Sequence, residues 1–142
     1  ATGIFIGGGY TPIYHRLYGT SPLSEMIQKR YSEGVPVAGV SAGALLSMDI
    51  CQLVPEETGY ETLEIAKGLG LARGYVIGVH FTEWNSLPEV LKVMQLTRTS
   101  MALGIDEPAC AVFDDGEFTS VLGEVVHTVE MIDFDLADYI LR

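Results

Sequence analysis

Val35-Pro36-Val37-Ala38-Gly39-Val40-Ser41-Ala42-Gly43-Ala44 decides how the rest of this sequence is read. A short β-branched run leads into Gly-x-Ser-x-Gly, and an apolar stretch (Ala44, Leu45, Leu46, Met48) follows it. A strand entering a helix through a serine flanked by small residues has the spacing of a nucleophile elbow. Such a turn holds the serine in a strained conformation that requires small neighbours, which Gly39, Ala42 and Gly43 supply. It raises the hydroxyl at the carboxyl end of the strand. The first N–H groups of the following helix, that of Ala42 among them, then aim at the same point and can hold a developing oxyanion. The competing reading is a Gly/Ala-rich turn that merely opens a packed helix. The strand before and the apolar run after favour the catalytic one.

Upstream, Thr2 to Ile6 reads as an apolar strand ending in Gly7-Gly8-Gly9. Three glycines let the backbone turn with positive φ or approach a neighbour closely. The pattern is neither Gly-x-Gly-x-x-Gly nor a Walker loop, so a glycine turn facing an active site fits better than a phosphate cradle. Thr11-Pro12 opens a helix to Tyr18 with Thr11 as N-cap. Ser21-Pro22 opens a second, with apolar positions Leu23, Met26, Ile27 and Tyr31, which stops at Gly34.

Downstream, Cys51 to Val54 is extended, and the acidic turn Pro55 to Gly59 follows; Glu56, Glu57 and nearby Glu61 read as a solvated loop. Residues 61–71 fit helix or strand, broken by glycines. Tyr75 to Phe81 is a strand. Ser86-Leu87-Pro88-Glu89 starts a helix with apolar face Val90, Leu91, Val93, Met94 and Leu96. Ala102 to Ile105 is a short buried strand. Ala109–Phe113 and Phe118–Leu122 make a hairpin across Asp114-Asp115-Gly116, Val125 to Ile132 alternates as a strand, and Leu136 to Leu141 fits a closing helix. The order predicts an α/β, three-layer sandwich with a mainly parallel sheet and an antiparallel C-terminal hairpin.

Length and charge narrow the function. At 142 residues, 48% hydrophobic and 19% charged, the chain is expected to be a single globular α/β domain. A formal net charge of −11 argues against nucleic acid or an anionic membrane surface as partner. No run of about 18 apolar residues suggests a helical span. Cys51 and Cys110 lie in apolar runs without metal-type spacing and read as buried thiols of a reducing, cytoplasmic compartment; no metal or cofactor is expected.

A serine attacks efficiently only when an oriented base takes its proton. His15 falls on the polar side of an early helix and His127 in a late strand. His80 ends a parallel-type strand, where it would share the crevice at the strands' carboxyl ends with Ser41. Glu107, just after another strand, qualifies as the orienting acid, with Asp106 expected to point the other way. Glu56 and Glu57 are the other acids open to that role.

Phe5-Ile6-Gly7-Gly8-Gly9, Gly39-Val40-Ser41-Ala42-Gly43-Ala44, His80-Phe81 and Gly104-Ile105-Asp106-Glu107 occur in an order that resembles the dipeptidase E / cyanophycinase family of serine peptidases. The resemblance runs from Phe5 to about Val129. It implies a class I glutamine-amidotransferase-like (flavodoxin-like) fold, Ser41 as nucleophile, His80 as base and Glu107 as the third member, or a residue near Glu56. It further implies an oxyanion hole of Gly9 and Ala42, and substrate contacts at Gly8, Tyr10 and Thr11. This chain reads Tyr10-Thr11 and Thr82-Glu83-Trp84-Asn85 where relatives place polar and cationic groups expected to hold an aspartyl substrate, so an acidic preference is not implied.

The leading expectation is a serine peptidase cleaving a short peptide or isopeptide bond through an acyl-enzyme. An ester- or thioester-cleaving relative and a non-catalytic binding relative are the alternatives. Beginning inside a strand at Ala1-Thr2-Gly3-Ile4, the chain is also expected to be the C-terminal portion of a longer domain lacking its first strands. Its bare edge is then covered by another copy or by an N-terminal segment.

Overall fold

In the computed structural model, Ile4–Ile6 (β1) and Val37–Gly39 (β2) pair in parallel, with Ile4 opposite Val37 and Ile6 opposite Gly39. The structure describes residues 1–53 and 63–142, and the chain divides into two units, Ala1–Leu71 and Ala72–Arg142. The turn at Pro55–Gly59, with Glu56, Glu57 and Glu61, lies outside the described residues.

In the first unit, Thr11–Tyr18 (α1) and Leu23–Ser32 (α2) connect β1 to β2, and Ala42–Ser47 (α3) follows β2 directly. Tyr10 rather than Thr11 takes the N-cap position of α1, and no side chain caps the helix; Thr11 instead starts the helix, fully buried. The apolar face expected of α2 is only partly used. Leu23 and Met26 are exposed, Ile27 and Tyr31 half-buried, and Ser24 is the buried residue. Core positions come from the short α3, through Ala42, Leu45 and Leu46. Ile50–Leu53 (β3) runs antiparallel to Glu64–Lys67 (β4), so the part of the ambiguous stretch 61–71 from Glu64 to Lys67 is strand. The Leu69 N–H donates to the Leu46 carbonyl at 2.8 Å and so ties the end of this pair to α3.

The second unit opens on a β-α-β crossover. Tyr75–Val79 (β5) and Met101–Ile105 (β6) pair in parallel through Leu87–Thr97 (α4). Val90, Val93 and Met94 of α4 are fully buried, at helical spacing. Leu96 was expected on this face, but it falls off the stripe and is exposed. Val126–Asp133 (β9) lies antiparallel on β6, and Asp138–Leu141 (β10) on β9, giving the order β10-β9-β6-β5. Ala109–Asp114 (β7) and Glu117–Gly123 (β8) form a separate antiparallel hairpin. Its two-residue turn, Asp115-Gly116, has positive φ at both positions, the primed geometry that matches strand twist.

The expected C-terminal helix is β10 instead. Leu136 to Leu141 has apolar spacing compatible with a helix, but Asp133 forestalls it. Its Oδ1 accepts the N–H groups of Asp135 and Leu136 at 2.8 and 2.9 Å, and Ala137 has φ of 52°. That turn reverses the chain onto β9, where ladder bonds replace helical ones. Cys51 is buried as expected, whereas Cys110 is exposed on the two-stranded hairpin. Mixed α/β structure thus describes both units. Among the described residues, no helix is long and apolar enough to cross a membrane.

Candidate active site

Ser41 directly follows β2 by one residue and precedes α3, with φ 53° and ψ −114°. L-residues rarely occupy this region, and holding one there costs about 1–3 kcal/mol. The surrounding backbone enforces it. The Val40 N–H donates to the Ile6 carbonyl at 3.0 Å, the Gly43 N–H to the Val40 carbonyl at 2.9 Å, and the Leu45 N–H to the Ser41 carbonyl at 3.0 Å. The glycines either side are there for space. A Cβ on Gly43 would collide with the Ile6 carbonyl oxygen, and one on Gly39 with the Gly43 carbonyl oxygen. This is a sharp strand-to-helix turn with a strained serine at its apex, the local geometry of a nucleophile elbow.

The glycine run lies against that apex: a Cβ at Gly8 would sit 3.4 Å from the Ser41 Cβ. None of Gly7, Gly8 and Gly9 takes positive φ. Their smallness serves close approach instead, since a Cβ on Gly9 would strike the Tyr14 ring, whose hydroxyl donates to the Gly8 carbonyl at 2.8 Å. Tyr10 is exposed beside this run. Thr11 is closed off from solvent, and its hydroxyl has no hydrogen-bond partner.

His80 occupies the corresponding position in the second unit, immediately after β5, and it too has positive φ, 47°. Its turn is held by hydrogen bonds from the Trp84 N–H to the His80 carbonyl (2.8 Å) and from the Ser86 N–H to the Phe81 carbonyl (2.9 Å). Phe81 anchors it. Gly78 and Gly104 face each other across β5 and β6, and a Cβ on either would run into the Phe81 ring. The ring therefore fills the slot that two opposed glycines leave on the sheet. The half-buried imidazole stacks against Trp84, with ring centroids 4.4 Å apart.

Glu107 presents Oε1 to His80 Nδ1 at 3.7 Å and is 80% exposed. That is beyond hydrogen-bond length. Asp106, expected to point away, is the more engaged carboxylate. Its Oδ1 accepts the Thr82 N–H at 2.8 Å and its Oδ2 the Thr82 hydroxyl at 2.5 Å, and His127 Nε2 lies 3.7 Å from that same Oδ2. Burial works to raise its pKa. The two Thr82 hydrogen bonds, with His127 and His80 in coulombic reach, outweigh burial and hold the carboxyl below the usual range. The alternation rule misses it because the strand ends at Ile105, so side chains beyond no longer alternate. A threonine two residues after the strand-end histidine is the sequence signal that could have pointed to it.

The remaining histidines are otherwise engaged. His15 is not simply solvated, since its Nε2 lies 3.0 Å from the Lys67 carbonyl oxygen. His127 stands opposite Gly104 in the ladder, its ring 5.5 Å from that of Phe81. Ser41 belongs to the first unit, and His80 and Glu107 to the second.

Comparison with known proteins matches the model of peptidase family S51 to residues 1–121. The chain is similar to a cyanophycinase of Geminocystis herdmanii, 30% identical over 142 residues that cover 97% of this chain and 52% of that protein. Cyanophycinases of Trichormus variabilis and Synechococcus elongatus are each 28% identical over 127 residues, covering 87% and 86% of this chain and 43% and 39% of theirs. The chain spans about half the length, or less, of the curated relatives it matches. With the elbow serine and the strand-end histidine both inside the matched residues, the chain belongs to peptidase family S51.

Proposed function

We propose that the chain is the catalytic portion of a serine peptidase that hydrolyses a short peptide or isopeptide bond. Ser41 is its nucleophile, His80 its base and Glu107 its orienting acid. The observation that carries this reading is the strained conformation of Ser41 between β2 and α3, which a merely structural turn gains nothing by keeping. Residues 1–142 act as one hydrolytic domain in a class I glutamine-amidotransferase-like layout.

In this scheme His80 Nε2 takes the proton as Ser41 Oγ attacks the carbonyl carbon, while Glu107, on the Nδ1 side, stabilises the imidazolium that forms. The N–H groups of Gly9 and Ala42 receive the oxyanion. Collapse of the tetrahedral intermediate breaks the C–N bond, and the imidazolium gives its proton to the leaving amine. Water, deprotonated by His80, then releases the acyl group and restores the serine. Gly8 and Tyr10, both exposed, border the substrate, whereas Thr11, closed off from solvent, does not reach it in this structure. Tyr10-Thr11 and Thr82-Glu83-Trp84-Asn85 carry no cation to hold an acidic side chain, so these segments give no reason to require an acidic residue in the substrate.

The test is a panel of dipeptides, isopeptides and small esters, with Ser41→Ala as control. Amide cleavage by the native chain, lost in Ser41→Ala, supports the peptidase. Ester cleavage alone moves the function to an esterase of the same fold, and turnover that survives Ser41→Ala contradicts the reading.

A further inference from the structure

Asp106 has no part in the scheme above, yet it is the most firmly bonded carboxylate beside the His80 turn. Beyond the Trp84 and Ser86 backbone bonds, two contacts tie that turn to the strand pair. The Phe81 ring fills the slot between Gly78 and Gly104, and the Phe81 N–H reaches the Ile105 carbonyl at 3.4 Å. One residue on, both donors of Thr82 close on the two oxygens of Asp106, at 2.8 and 2.5 Å. His80 is the residue just before this pair, and its positive φ persists only while the surroundings over-determine it. The Trp84 and Ser86 backbone bonds close the turn on itself, and the bidentate Thr82–Asp106 contact ties it to the residue that follows β6.

We propose that Asp106 is the positioning residue for the base: acting through Thr82, it locks the turn that aims His80, while its neighbour Glu107 addresses the ring itself. The inference rests on the reading of His80 as the base. Two adjacent carboxylates thereby divide the work at the end of one strand. Asp106 faces Thr82 from the turn and His127 Nε2 from β9 at 3.7 Å, with His80 in coulombic reach. His80 faces Glu107 at 3.7 Å and the Trp84 ring. A carboxylate in coulombic reach of His80 also contributes to the field there, so its removal changes the electrostatics around the base as well as its aim.

The experiment uses the full chain and its Asp106→Asn, Thr82→Val and Thr82→Ser variants. It reads the rate of Ser41 phosphonylation by a fluorophosphonate against pH, and the imidazole Cε1–H resonance of His80 by NMR. Asp106→Asn is expected to slow labelling on the order of ten- to a hundred-fold, the scale of a small misplacement of a catalytic group. It should also change the position of the acid limb of the profile. Thr82→Val, which keeps the backbone donor, slows labelling less, and Thr82→Ser restores the native rate. Native-like rate and limb in Asp106→Asn overturn the proposal. So does slow labelling with an unmoved limb and an unchanged His80 resonance, the mark of a purely structural role. If the native chain itself is not labelled, the reading of Ser41 falls and the NMR arm decides alone. A His80 resonance perturbed in both Asp106→Asn and Thr82→Val supports the positioning role, and an unperturbed one overturns it.

Discussion

The Ser41 turn and the His80 turn pose the same local problem and solve it differently. Each follows a strand of a parallel pair, and each places a non-glycine residue at positive φ, 53° and 47°. At Ser41 the backbone itself is the clamp. Carbonyl oxygens of Ile6 and Gly43 press so closely on Gly43 and Gly39 that no side chain fits at either position. At His80 two backbone hydrogen bonds are supplemented by side chains, an aromatic ring in a two-glycine slot and a threonine held by an aspartate. Backbone clamps break outright when altered. Side-chain clamps can be weakened step by step, so the second turn is where geometry is tunable without loss of the fold.

The largest effects fall on the two apex residues. Ser41→Ala and His80→Ala are each expected to lower hydrolysis by about 10⁴-fold or more with circular dichroism unchanged. If turnover survives His80→Ala and disappears in His127→Ala, the second turn is not the site of the base. Next comes Glu107→Gln, which keeps shape but not charge. A loss of about 10²- to 10⁴-fold in turnover, with thermal stability unaltered, is the expected result in steady-state kinetics.

Stability separates the two clamps further. Gly43→Ala drives a Cβ into the Ile6 carbonyl, an overpacking that costs about 1–3 kcal/mol and shows as a lowered urea midpoint. Relief of the clash would require the elbow to open, so labelling of Ser41 should fall with it. The smallest effect is a pH dependence at Asp106. Its folded pKa is lowered, so the stability it contributes is fully present above the ordinary carboxylate pKa of about 3.9 and is lost as pH falls through the folded value. Thermal unfolding below pH 4 should therefore be less steeply pH-dependent in Asp106→Asn than in the native chain.

The same contrast governs what could be read from the sequence. The elbow was legible because backbone crowding leaves a residue-level trace: only glycine fits at Gly39 and Gly43, and the spacing is fixed by the turn. The Asp115-Gly116 hairpin was legible for the same reason, as positive φ at two adjacent residues selects its own composition. Strand alternation points Asp106 the wrong way because the strand stops one residue earlier, and its partner Thr82 is 24 positions away in the chain. Strand β10 was hidden by helical apolar spacing. Only the turn at Asp133 and the pairing with β9 decide it, and a tertiary ladder has no local signature.

The central claim is that the strain at Ser41 serves a nucleophile. Fluorophosphonate labelling followed by peptide mapping of the adduct tests it most directly. The account predicts a single adduct on Ser41, absent in Ser41→Ala and strongly slowed in His80→Ala. A native chain that stays unlabelled, or one whose adduct persists in Ser41→Ala, would contradict it.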